Sequence, residues 1–183
     1  MHLYRAVGWM GLGCLLSLTA CSSSDDSGGG GIGGPQSSSR DNANEALANN
    51  DCYLGLQLPG ITTSGYGCSG GAQNTSITGL KPSSFDPALR INVELGTPPS
   101  LGALDLTKLT VGTPRADASW DTWEAPPGSC TAQAVGTSFD SFFSWDYYRM
   151  DFSCAGTANP VDGNTMPPLT LGDFTIVSFF KRQ

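Results

Sequence analysis

The chain has 183 residues, 16 of them acidic and nine basic, for a formal charge of −7, and it carries a single histidine. Only 14% of the residues are charged and the Lys and Arg side chains form no cluster, which excludes nucleic-acid binding through a basic surface. Helical periodicity is almost absent, and the 24 glycines and 12 prolines instead supply turn signals at short intervals.

In chain order, the first element is a three-part export signal over residues 1–20. Arg5 is the only fixed charge at its start. An apolar run from Ala6 to about Leu18 follows, interrupted by Gly8, Gly11 and Gly13, and small residues then lead into Cys21. The run is shorter than the ~20 apolar residues of a spanning helix, and it gives way directly to Ser22-Ser23-Ser24-Asp25-Asp26. Leu18-Thr19-Ala20-Cys21 resembles the lipobox of bacterial lipoproteins. That resemblance covers only the first 21 residues. It implies cleavage before Cys21, a diacylglyceryl thioether with palmitate-type acyl chains on that cysteine, and a stable lipid anchor in a membrane. Ser22 rather than Asp follows the cysteine; by the sorting rule of enteric lipoproteins this implies the outer membrane.

Cleavage there removes both Arg5 and His2. The remaining chain is more acidic and does not adhere to anionic lipid by charge, so the acyl anchor carries the membrane contact. Cys14 leaves with the signal and Cys21 takes the lipid. Cys52, Cys68, Cys130 and Cys154 remain, an even set in an exported chain and the basis for expecting two disulfides.

Residues 21–50 read as the lipidated cysteine and a flexible tether, rich in Gly, Ser, Asp and Asn. Glu45-Ala46-Leu47-Ala48 amounts to no more than a helical turn. The domain is expected over 51–183. Leu89, Ile91, Val93 and Leu95 alternate with Arg90, Asn92 and Glu94, the pattern of a half-buried strand. Further strands are expected at 53–58, 75–80, 103–111 and 169–180, with turns at Pro59-Gly60, Pro98-Pro99, Pro126-Pro127-Gly128, Asn159-Pro160 and Asp162-Gly163. The fold class is therefore all-β, an antiparallel β-sandwich or partly open barrel with two disulfides.

The segment from Cys130 to Cys154 reads as a hairpin with its turn centred on Phe142. That register sets Cys130 opposite Cys154, Ala132 opposite Phe152, Ala134 opposite Met150 and Gly136 opposite Tyr148. Small residues meet large ones on one apolar face. Thr131, Gln133, Val135 and Thr137 lie on the other face, opposite Ser153, Asp151, Arg149 and Tyr147. The register predicts a Cys130–Cys154 bridge, leaving Cys52 with Cys68, each closing a loop worth ~3 kcal/mol on the chain-entropy account.

With His2 removed, Ser-His-Asp and Cys-His catalysis and a histidine zinc site are closed to the mature chain. Gly67-Cys68-Ser69-Gly70-Gly71 lacks the spacing of a nucleophile elbow and reads as a disulfide-pinned turn. Asp117, Asp121 and Glu124 lie near Trp120 and Trp123, the raw material of a carboxylate-dependent glycoside hydrolase. Asp162-Gly163-Asn164 offers oxygen ligands for calcium, with Asp140, Asp146 and Asp173 from other loops, but it is first of all a turn sequence. No metal or other cofactor is expected. Trp120, Trp123, Trp145 and Tyr147, with Tyr148, are the candidate ligand-binding residues, suited to stacking on sugar rings or gripping a partner protein. The expectation is a membrane-anchored envelope lipoprotein with a non-catalytic β-domain, its partners being lipid through Cys21 and an envelope protein or glycan. The alternatives are a carbohydrate-binding module using exposed Trp and Tyr, and a small carboxylate-dependent glycosidase.

Overall fold

A computed structural model describes residues 37–56, 58, 64–66, 69–81 and 89–182. The expected signal, Cys21 and the first part of the expected tether lie outside the described residues, as does Cys68.

The described residues form two antiparallel sheets and one helix. The six-stranded sheet contains, in spatial order, β2 (Ser64–Tyr66), β1 (Tyr53–Gly55), β13 (Asp173–Lys181), β10 (Trp145–Cys154), β9 (Cys130–Asp140) and β6 (Gly102–Leu104). The seven-stranded sheet contains β12 (Leu169–Thr170), β11 (Thr157–Val161), β8 (Trp120–Glu124), β7 (Leu106–Pro114), β5 (Arg90–Leu95), β4 (Ser76–Lys81) and β3 (Ser69–Ala72). Both sheets contribute to one hydrophobic core: Leu54, Met150, Phe174 and Ile176 from the first, and Ile91, Val93, Leu109 and Val111 from the second. All eight are at most 1% exposed. The alternation read in 89–95 is observed, with Ile91, Val93 and Leu95 buried on β5.

Two expected strands are each divided. The run 103–111 breaks at Asp105, so that β6 pairs with β9 in one sheet and β7 with β5 in the other. The run 169–180 breaks at Leu171-Gly172, where Gly172 has φ +63°, a backbone angle that suits glycine. Asn159-Pro160, expected as a turn, lies within β11, where Pro160 faces Trp123.

The expected tether to residue 50 is corrected by α1 (Ser37–Ala48). Ala43, Ala46 and Leu47 stand at i, i+3 and i+4 and make a narrow apolar stripe. Ala43 and Ala46 are buried against Tyr53 and Val177, on the face of the six-stranded sheet away from the main core. The helix stops in a Schellman arrangement. Asp51 N–H donates to the Ala46 carbonyl at 2.9 Å and Asn50 N–H to that of Leu47 at 3.3 Å, with Asn50 left-handed at φ +51°. Arg149 holds the middle of the helix, donating to Asn44 Oδ1 at 2.6 Å while pairing with Asp151 at 3.1 Å. Ser138 Oγ donates to Asn50 Oδ1 at 2.7 Å. The C-terminal end of α1 thus lies nearest the β9–β10 turn, and the helix begins, at Ser37, on the far side.

The hairpin register holds for its first half. Cys154 faces Cys130, Phe152 faces Ala132 and Met150 faces Ala134. Cys130 and Cys154 are joined by a disulfide with Cα atoms 4.0 Å apart. Cys52 is also disulfide-bonded, and the partner expected for it, Cys68, lies outside the described residues. Beyond Met150 the register shifts by one: Arg149 faces Gly136 and Tyr148 faces Thr137, so Val135 is the extra residue of a β-bulge. The expected pairs Gly136–Tyr148, Val135–Arg149 and Thr137–Tyr147 are corrected accordingly. The bulge turns Gly136 toward α1, where a Cβ at this position would stand 2.8 Å from Leu47 Cδ2. The absent side chain is what admits Leu47.

Candidate functional site

The free end of the β9–β10 hairpin carries half of the large exposed apolar side chains described. Six large hydrophobic residues are exposed among the described residues; Phe142 and Phe143 belong to this turn and Phe139 to the end of β9 beside it. Phe142 is 85% exposed and Phe143 54%. Phe142 and Phe143 touch edge-on, 4.7 Å between ring centroids, and adjoining exposed rings mark an interaction surface more often than scattered single residues do.

The turn is built to hold them there. Asp140 Oδ1 accepts from the backbone N–H of Phe142 at 2.8 Å and of Phe143 at 3.3 Å, an Asx turn that caps the loop. Ser144 takes a left-handed conformation, φ +56°, and returns the chain to β10. Behind the turn the rings stack. Phe143 lies 4.6 Å from Trp145, Trp145 lies 4.2 Å from Phe179, and Phe179 lies 5.7 Å from Tyr147. The first two pairs are nearly parallel. On the other side Arg182 covers the Phe139 ring at 4.5 Å and makes two hydrogen bonds to Asp146, at 2.8 and 3.0 Å. The exposed phenylalanines therefore sit on a preordered base of aromatic rings and one ion pair, which lowers the entropy lost when they are covered. Burial pushes the Tyr147 phenol above its ordinary pKa, with the carboxylates of Asp140 and Asp51 adding to the effect. Burial does the same to Tyr148, with Asp146 adding.

The four aromatic residues singled out in the sequence do not share one surface. Trp145 is half-buried within the ring stack, and Tyr147, at 4% exposed, supports that stack from below. Trp120 and Trp123 belong to β8 in the other sheet. Trp123 is buried in the core with its indole N–H donating to the Pro167 carbonyl at 2.9 Å, so it presents no face to a ligand. Trp120 is half-buried beneath the guanidinium of Arg90, 4.3 Å from its ring. Tyr148 meets Phe180 edge-on at 5.9 Å.

The carboxylates of the glycosidase reading are separated. Asp121 and Glu124 project from opposite faces of β8. Asp121 pairs with Arg115 at 2.6 Å, and Glu124 with Lys108 at 3.4 Å. Hydrogen bonds from the Ser119 hydroxyl and backbone N–H hold Asp117 below the usual carboxylate range. The oxygen atoms of the calcium reading are also dispersed. Asn164 donates to the Thr122 carbonyl and accepts from Met166 N–H, Asp146 binds Arg182, and Asp173 accepts from Ser153. Among the described residues no three His, Cys, Asp or Glu side chains converge to hold a metal ion.

Sequence reasoning missed Phe139, Phe142, Phe143 and Phe179 as functional candidates. The signal was present: a turn whose tip carries Phe142-Phe143 in place of Gly, Asn or Asp contradicts ordinary turn chemistry. In comparisons with known proteins the chain matches no family model, no curated protein and no solved structure.

Proposed function

We propose that this protein is a non-catalytic interaction protein of a bacterial envelope, lipid-anchored in the outer membrane through Cys21, whose aromatic hairpin end docks a partner protein. The two sheets, sharing one core, are read as a β-sandwich, and Cys52–Cys68 as its second disulfide. The observation that carries the proposal is the pair Phe142 and Phe143, exposed at the tip of the hairpin with Phe143 stacked on the Trp145–Phe179 pair, while Phe139 is exposed on the other face of the same end. Large rings on a rigid base are the anchors that dominate protein interfaces. Entry of the chain into α1 from the far side supports display of this end away from the anchor. The lipobox resemblance and the even cysteine set support the location.

The experiment places a photo-crosslinking amino acid at Phe142, and separately at the exposed Thr157 of β11, in the full chain in cells. The expected result is one discrete crosslinked band specific to position 142 and abolished by Phe143→Ser with Phe139→Ser. Equal crosslinking patterns at 142 and 157 refute the docking role. Release of the protein from membranes is measured separately with Cys21→Ser; an unchanged membrane fraction refutes the lipid anchor.

A further inference from the structure

The outward face of the seven-stranded sheet contains a depression of about 330 Å³ that the hairpin site does not explain. Its floor is set by register. Asn92 faces Thr110, Glu94 faces Lys108 and Thr110 faces Glu124 across neighbouring strands, so all of these side chains rise from one surface. Arg90 closes one side, and Val161 and Asp162 stand at another. The volume is that of a small-molecule site.

Arg90 is held in an unusual way. It lies opposite Gly112, and a Cβ on that glycine would stand 3.0 Å from Arg90 Nε and 3.3 Å from Trp120 Cε3. The missing side chain lets guanidinium and indole meet over the strand. Arg90 Nε is buried and has no hydrogen-bond partner among the described residues. That N–H is packed against Gly112 and closed to solvent, while the Arg90 side chain as a whole lines the depression.

The other groups define what that ligand is. Asn92 is engaged within the floor: its Oδ1 accepts from Gly79 N–H at 2.6 Å and its Nδ2 donates to Thr110 Oγ1 at 2.8 Å. That leaves the Thr110 hydroxyl its proton to donate. Glu94 offers a carboxylate acceptor, and Glu124 is shared with Lys108. Two cations, Arg90 and Lys108, oppose three carboxylates, Glu94, Glu124 and Asp162. An anionic ligand meets the carboxylates and a cationic one meets the two bases. A neutral ligand whose hydroxyl groups both donate and accept satisfies the whole set.

We infer that this depression binds a neutral saccharide, with the Arg90 guanidinium and the Thr110 hydroxyl donating to sugar oxygens and Glu94 accepting from sugar hydroxyls. The inference is independent of the docking role of the hairpin.

The test is a glycan array carrying neutral and uronate-containing glycans, probed with the full chain in detergent, followed by calorimetry on the strongest hit. The wild-type protein is expected to retain at least one neutral glycan. Glu94→Gln and Thr110→Val are each expected to weaken it by about tenfold, the effect of one lost charged or neutral hydrogen bond. Neither change removes a buried apolar side chain, and circular dichroism confirms that both variants fold. Phe142→Ser is expected to bind the glycan as wild type does. Retention of no neutral glycan above the Glu94→Gln, Thr110→Val double variant overturns the inference, as does a preference confined to uronate glycans.

Discussion

Substituting Ala46 by Asp tests whether α1 belongs to the folded domain. Ala46 is 1% exposed and lies with Ala43 over Tyr53 and Val177, themselves 1% and 0% exposed. The variant has two courses. It keeps the helix docked and buries an unpaired carboxylate, at several kcal/mol. Otherwise it releases the helix and exposes Tyr53 and Val177, at about 1.5–3 kcal/mol for each side chain. The cheaper course sets the measured cost, so the expected loss is about 3–5 kcal/mol. Ala48→Asp is the control: it adds the same charge to the same helix at an exposed position and costs under about 1 kcal/mol through the helix dipole. Urea unfolding gives the two stabilities, and hydrogen exchange reads the amides of residues 43–51 against those of β10 and β13. In Ala46→Asp the helix amides are expected to exchange fast while the sheet stays protected. Equal urea midpoints and equal helix protection in the two variants would refute the reasoning.

Three further outcomes are expected. Replacing Cys130 and Cys154 by Ala removes a crosslink between positions 24 apart and lowers stability by about 3.5 kcal/mol on the chain-entropy account, read from the urea midpoint. Gly136→Val costs about 1–3 kcal/mol by crowding Leu47, and combining it with Leu47→Ala costs less than the sum of the two single changes; strict additivity in the cycle would show that the two residues do not meet. The phenols of Tyr147 and Tyr148 have pKa values raised above 10.0 in the folded chain. Their contribution to stability is therefore full below about pH 10 and is lost as the pH rises further, because the unfolded chain releases these protons first. Phenolate absorbance with urea melts on either side of that pH measures it, and a rise in stability with alkali would contradict the burial of these rings.

Much of the β architecture was legible because strands with one buried face write it as alternation. Leu89 to Leu95 and the Cys130–Cys154 register show this directly. What the pattern could not carry was long-range steric need. Gly136 reads as a weak strand residue until Leu47, 89 positions earlier in the chain, is placed over it. The bulge at Val135 exists to make that placement and leaves no local mark. The helix was hidden for a similar reason: its apolar stripe is only Ala43, Ala46 and Leu47, enough to pack on a formed sheet and too little to stand out among Ser, Asn and Asp. At the candidate site, Trp145 and Tyr147 were legible as large aromatics, but whether a ring is a display or a support depends on its neighbours in β13. The depression was invisible, since it joins alternate residues of three strands that meet only through register.

If the chain is held upstream of Ser37, the docked helix shortens the reach of the domain. As a helix, its 12 residues span about 18 Å. Pulled out to an extended chain, the same residues span about 40 Å. A steady load applied at the amino-terminal side would act first on the small contact of Ala43 and Ala46 with Tyr53 and Val177, while the six-stranded sheet behind it, with its Cys130–Cys154 crosslink, remains whole. Helix α1 is then a reserve of length, paid out under tension and rewound when the tension falls.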